Sequence, residues 1–566
     1  MLCLAILFLP TVAFSTVVKT PFGELEGFDH ITDKGVPTHV FLGVRYGQEP
    51  GRFEKPEMVG KWAPARKLAT SYGSTCYPYT EPFIKWLHGE NTSEDCLFMN
   101  IITPKILGSA DLPVFVFIHG GGYAIGASDH YGYKRLAERV ASEGIVVVTI
   151  NYRLGPFGFF SLGDSVAPGN MGLWDATLAL LFMHEILPSF GADIDRITVA
   201  GHSAGSCLAS ALQFSPHANA LFSQSMLLSG STVTEFGLAE TVVDESRKIA
   251  KELGCLSEST TETFECMQKV TPLEIIRAVE KVGVKRYHPH FLIYHPRLDG
   301  DFFPQSIEKL AESAPQKRSL SGATEVESAL FVFHAELDSS FAVKKSDYVS
   351  FSRSDLVEYL ETVIVPASEQ GASASALRRL LVEFYVERDE KKDDYVFYLQ
   401  RYTDLISDLQ FLIPTYLEIQ IKTANNWPTY LYIMQHATKN SPRDEFPVKG
   451  AFHGDELNHF SDNTGIYPIK ENDSEFEATG LNFATALVNF VKNGDPSSPP
   501  VSWSPMSKAH PFQHASMSAN MSFKQDTYRA EAARFWLGTV PKSIPMNLLR
   551  RAGLPVAEGR LKHTEL

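Results

Sequence analysis

The sequence lacks any surplus of basic residues. Lys and Arg number 51 against 66 Asp and Glu, a formal net charge of −15. That balance argues against a nucleic-acid partner and reads as a solubilising surface. Long apolar runs are also lacking. Residues 1–14 (MLCLAILFLPTVAF) form an apolar run too short to cross a bilayer comfortably, and its positive leader is missing. It predicts a secretory signal peptide over 1–15, cut near Ser15. No other stretch predicts a transmembrane segment. No repeat, low-complexity tract or Gly/Ser linker divides the chain. The expectation is one large domain over 16–540, followed by a tail over 541–566. Of the 566 residues 44% are hydrophobic, ample for a large core.

Cysteine is scarce too. Of six, Cys3 would leave with the signal, and five is an odd count for an oxidising compartment. Cys76 and Cys96, and Cys255 and Cys266, are near enough in sequence to close two local loops. Cys207 is then left over, as a small buried residue rather than a reactive thiol. Sequons at Asn91, Asn472 and Asn520 fit a secretory chain. The last four residues, His563-Thr564-Glu565-Leu566, resemble the receptor-read KDEL/HDEL retrieval signal, with Thr564 in place of Asp. Together with a signal peptide they predict the lumen of the endoplasmic reticulum, with a retrieval receptor as partner. Secretion is the alternative.

What is present is an alternation of β-rich runs and helical stretches. Strands are expected over 114–118, 145–150, 197–200, 226–229, 329–333 and 429–434. Helices are expected over 134–143, 176–187 and 242–253. Continuous apolar strands between helices predict an α/β fold with a mostly parallel sheet covered on both faces. Residues 340–425, rich in helix formers and charges, predict a helical insertion. The segment 497–504 predicts a surface loop.

The most informative stretch is Gly201-His202-Ser203-Ala204-Gly205, between a β-branched run and a run of small helix-compatible residues. Strand, sharp turn and helix are the context of a nucleophile elbow, with the Ser203 hydroxyl projecting at the sheet's carboxyl edge. The flanking glycines allow strand and helix to approach closely. His119-Gly120-Gly121-Gly122 directly follows the expected strand 114–118. The amides of Gly121 and Gly122, with that of Ala204, are candidates for an oxyanion hole. A serine needs a base. His453, in the Gly-flanked loop Gly450-Ala-Phe-His453-Gly-Asp-Glu-Leu457 beyond the strand 429–434, is the candidate. His202 is a candidate for the substrate pocket, turned away from the base on chain geometry alone.

The chain resembles the type-B carboxylesterase/cholinesterase family from about residue 17 to about 540. The carriers are Ser93-Glu-Asp-Cys96-Leu-Phe-Met-Asn100, His119–Gly122, Asn151-Tyr-Arg-Leu-Gly155, Gly169-Asn-Met-Gly-Leu173, Phe190-Gly-Ala-Asp193, the elbow, Ser229-Gly-Ser231 and Gly450–Leu457. The resemblance implies an α/β-hydrolase fold and hydrolysis of small-molecule or lipid esters by an acyl-enzyme route, with no metal or organic cofactor. It implies disulfides Cys76–Cys96 and Cys255–Cys266, His453 as base, and ion pairs Arg52–Glu94 and Arg153–Asp175. It also implies a glutamate after the strand preceding the insertion, in a pattern such as G-x-x-x-x-E-G. With that strand read at 329–333, Glu336 is favoured as the acid and Asp338 is the alternative. Trp86 matches the position of the choline-binding tryptophan of cholinesterases, against the plainer reading that it packs its loop. Two family alternatives stay open: a cholinesterase-like enzyme, and a catalytically impaired adhesion or signalling member.

Overall fold

Side chains alternate between two faces along the central strands, and each face meets its own helices. The computed structural model describes residues 15–79, 91–105, 111–283, 292–334, 341–366, 374–391, 393–436, 445–462, 473–526 and 528–543. Thirteen strands among them form one sheet. They are β1 (Ser15–Thr20), β2 (Gly23–Ile31), β3 (Pro37–Arg45), β4 (Arg66–Leu68), β5 (Phe98–Pro104), β6 (Leu112–Ile118), β7 (Val146–Ile150), β8 (Ala192–His202), β9 (Gln224–Leu228), β10 (Arg318–Thr324), β11 (Thr429–Met434), β12 (His514–Met517) and β13 (Ser522–Lys524). The order is β1-β2-β3-β5-β7-β6-β8-β9-β10-β11-β12-β13, with β4 beside β2. From β7 to β12 every neighbour is parallel, and the outer pairs at both ends are antiparallel. Strand order reverses around β6, which lies between β7 and β8. Ligand sites of open α/β sheets form beyond the carboxyl ends of strands at such a point.

The helices used below are α1 (Met171–Ile186), α2 (Ala204–Phe214), α3 (Ala329–Phe333), α4 (Tyr395–Ser407), α5 (Ile413–Ala424) and α6 (Ser474–Asn493). Val114, Val116 and Ile118 of β6 join Leu173 of α1 and Leu208 of α2 in one core. Phe115 and Phe117 point the other way, to Phe483 and Leu487 of α6. Each such fully buried side chain contributes roughly 1.5–3 kcal/mol, which is why the two-faced pattern fixes register. A third core, with Leu356, Leu377, Leu399, Leu405 and Trp536, belongs to the helical insertion.

The expected strands at 114–118, 145–150, 197–200, 226–229 and 429–434 are present within a few residues. The expected strand at 329–333 is instead the helix α3. The strand of that region is β10, whose sequence RSLSGAT reads as polar. Ser319 is buried there because it finds partners: it meets Ser225 at 2.9 Å and accepts from Lys422 Nζ at 2.8 Å. A five-residue apolar run does not distinguish a buried helix from a strand, and here burial against the insertion selected the helix.

The two disulfides pair Cys76 with Cys96 and Cys255 with Cys266, leaving Cys207 as a buried thiol. Both implied ion pairs form. Arg52 is bidentate on Glu94, and the fully buried Arg153 is bidentate on Asp175, with Glu49 as a further partner at 3.0 Å. Segment 497–504 lies at the surface apart from Trp503, which is buried.

Candidate active site

The turn after β8 is held by contacts that only glycine permits. A Cβ on Gly201 would lie 2.1 Å from the Gly205 carbonyl oxygen, and one on Gly205 would lie 2.2 Å from that of Ile118. Ser203, between them, adopts φ 55° and ψ −125°, a conformation costly for a residue with a side chain. The strain is held from both sides. Ser203 N–H donates to Leu228 O at 2.8 Å, while Ser203 O accepts from Cys207 N–H at 3.0 Å as α2 begins. The serine is 9% exposed, at the sheet's carboxyl edge.

The glycine loop after β6 abuts this turn. A Cβ on Gly120 would lie 3.0 Å from Ser203 Cβ and 3.0 Å from His202 Nδ1. Gly121 and Gly122 have φ of 110° and 62°, turning the backbone in a way other residues resist. Gly121 O is tied to the N–H groups of Ala124 and Ile125 at 3.0 Å. Tyr152 OH donates to His119 O at 3.1 Å, and its ring stacks on the His119 ring at 4.5 Å. Among the described residues, the N–H groups of Gly121, Gly122 and Ala204 find no backbone acceptor.

His453 lies in the third loop, buried beside the turn of Ser203. Its ring centroid is 4.5 Å from that of His202, the residue preceding the nucleophile. Nδ1 of His453 is 2.7 Å from Oε2 of Glu327, and the His453 N–H donates to Glu327 O at 3.3 Å. The other carboxylate oxygen of Glu327 accepts from Thr324 N–H at 2.7 Å. Burial opposes charge on both partners. It pushes the Glu327 carboxyl up and the His453 imidazole down, while contacts with Ser229 and the Thr324 N–H pull Glu327 back. With Nδ1 turned to Glu327, Nε2 of a neutral His453 is left as the proton acceptor.

Glu327 is therefore the carboxylate on His453, whereas the expected Glu336 and Asp338 lie outside the described residues. The displacement follows from the strand: the loop after β10 starts at Glu325, eleven residues or more before either expected acid. A signal for Glu327 was present. Gly322-Ala-Thr-Glu-Val-Glu327 has the G-x-x-x-x-E spacing, with Ser328 in place of the final glycine. Gly322 is required there, because a Cβ would fall 1.9 Å from the Tyr432 ring.

His202 is also corrected. It does not turn away from the base; its ring is in contact with that of His453. Burial and the neighbouring imidazole hold it well below the usual histidine range, hence neutral. A second carboxyl, Glu456, was not foreseen. It is fully buried, accepts from Ser229 Oγ at 2.9 Å, and burial with the nearby Glu327 pushes it up to about 8. Burial thus favours its uncharged form beside Glu327. Two aromatic rings close the far side of the base, Phe331 of α3 at 5.3 Å and Phe411 at 4.7 Å. Phe411 comes from a π-helical turn, Asp408–Leu412, between α4 and α5. Trp86, Asn472 and His563–Leu566 lie outside the described residues, whereas Asn91 and Asn520 are exposed.

A model described as the carboxylesterase family matches residues 14–536. Gut esterase 1 of Caenorhabditis briggsae is 31% identical over 532 residues, covering 92% of each chain. Bile salt-activated lipase of Bos taurus is 28% identical, covering 86% of this chain and 81% of its own. Neuroligin-2 of Mus musculus is 28% identical, covering 93% of this chain and 68% of its own.

Proposed function

Because the chain belongs to the carboxylesterase family, we propose that it hydrolyses carboxylic esters through an acyl-enzyme on Ser203. The observation that carries this reading is the 2.7 Å pair of His453 and Glu327, buried beside the strained turn of Ser203. Ser203 Oγ attacks the ester carbonyl and His453 Nε2 takes its proton. Glu327 holds the imidazole in the required tautomer and stabilises its cation. The N–H groups of Gly121, Gly122 and Ala204 receive the charge of the tetrahedral intermediate, each such donor contributing about 100- to 1,000-fold in rate. His453 then protonates the leaving alcohol, and water cleaves the acyl-enzyme by the same route.

The test is labelling by an organophosphate, with Ser203→Ala as control. Loss of label in the variant supports the assignment, and label that survives refutes Ser203 as the nucleophile. A family member that keeps the fold without the activity would take no label at all. A cholinesterase-like enzyme would prefer a choline ester over a neutral ester of equal acyl size. Against that preference stands His202, neutral where cholinesterases favour an acid beside the nucleophile.

We also propose a route through the secretory pathway, with residues 1–15 removed, the domain spanning 16–540, and His563–Leu566 read by a retrieval receptor in the endoplasmic reticulum. The two disulfides and the exposure of Asn91 and Asn520 support it. Asn472 is the third proposed glycosylation position. Among the described residues no helix is long and apolar enough to cross a membrane.

A further inference from the structure

At the end of the sheet opposite Ser203, a cleft of about 430 Å³ opens between the entry ends of β8 to β11 and the last turn of α6. Four cations line it: Arg196, Lys317, Arg318 and Lys492. One carboxylate, Asp195, lines it with them. In a chain of net charge −15 this is a local inversion of sign. Among the described residues, none of the four cations forms an ion pair. Lys317 is the telling member. It is 3% exposed, and its ammonium is held by the carbonyls of Asn219 and Phe222 and lies 4.5 Å from the Phe222 ring, with no carboxylate partner among the described residues. Burial already pushes it down to about 8. A buried ammonium without a carboxylate is expensive, and an anion in the adjoining cleft would relieve that cost.

The competing reading is that these cations only cap α6. Part of that is true. Arg196 donates to Lys492 O at 2.9 Å, and Arg318 lies over Gly494, where a Cβ would fall 2.3 Å from its Cδ. A helix carboxyl end supplies only about half a negative charge. Four cations against Asp195 and that half charge leave roughly two and a half positive charges. Asp193 and Asp495, further carboxylates near along the chain, accept from Asp195 N–H at 3.0 Å and Ser497 N–H at 2.9 Å and do not line the cleft. Capping therefore accounts for less than the charge assembled.

We propose that this cleft binds a phosphate group, either the free ion or a small phosphomonoester, with Arg318 and Lys492 as donors and Lys317 as the buried counter-charge. The site stands apart from the esterase site and does not depend on it.

The test uses the full chain and follows its thermal midpoint against inorganic phosphate, with sodium chloride at equal ionic strength as reference. Phosphate is expected to raise the midpoint saturably by about 2–4 °C, with chloride lacking the effect. Arg318→Gln and Lys492→Gln, both at accessible positions, are each expected to weaken the apparent Kd about tenfold, as loss of a charge-assisted bond does. Saturation at lower concentration by glycerol 2-phosphate would assign a phosphomonoester. Saturation by inorganic phosphate alone would assign the free ion. An equal rise with chloride, or an unchanged phosphate titration in both variants, overturns the proposal. Ester hydrolysis is not the readout, so the result is independent of Ser203.

Discussion

Oε2 of Glu327 and Nδ1 of His453 are 2.7 Å apart, and both side chains are almost fully withdrawn from water. Neither charge is favoured by that burial, so the two groups titrate as a pair. The working form has an ionised carboxylate and a neutral imidazole. Uptake of a proton by either partner disables it.

The pH profile of kcat/KM follows. Burial pushes Glu327 up to about 7 and His453 down to about 3. On the acid side the first proton is taken up near the higher value, so activity should rise with pH and level off above about 7. In Glu327→Gln only His453 of the pair remains to titrate, and the acid limb should move toward lower pH. An unmoved limb would count against the pair.

Glu327→Gln should also lower kcat about 10⁴-fold with the fold intact, because an amide can hold the wrong tautomer. Glu336→Gln and Asp338→Asn should leave kcat within about twofold, because Glu327 already pairs with His453. Steady-state kinetics on one neutral ester separates the three.

Ser203→Ala should reduce kcat by about a million-fold while leaving thermal stability close to that of the parent. Gly205→Ala should do the reverse of a clean active-site change. Its Cβ would meet the Ile118 and His119 carbonyl oxygens at 2.2 and 2.4 Å. Neither backbone oxygen can step aside, so a loss of about 3 kcal/mol or more is expected, read as a lower denaturation midpoint.

Arg153→Met should cost about 3–5 kcal/mol, because Asp175 is left as an unpaired charge at full burial. Replacing both, as Arg153→Met with Asp175→Leu, should recover much of the loss. Chemical denaturation of the single and double variants measures the difference.

The site was legible in the sequence wherever its chemistry is local. The elbow glycines, the glycine triplet after β6 and the loop of His453 each carry their geometry within a few residues. The acid was not found, because the strand that delivers it hides its burial. Ser319 of β10 looks like a surface residue until Lys422 and Ser225 are brought to it from distant segments. The apolar run of α3 then drew the strand assignment ten residues downstream, and the acid with it. Ser229 and Glu456 were invisible for the same reason, being polar groups whose burial depends on partners 227 residues apart. The contact of His202 with His453 depends on how two loops meet, which spacing along the chain does not encode.

The wide turn at Asp408–Leu412 ties the insertion to turnover. It interrupts an otherwise continuous rod from Tyr395 to Ala424, and the aromatic ring it presents, Phe411, rests on the imidazole of His453. A helical residue advances its successors by about 100°, so removing one residue upstream of Phe411 would swing that ring out of reach. Length changes in the insertion are therefore not silent decoration: each acts as a crank on the base it never chemically touches.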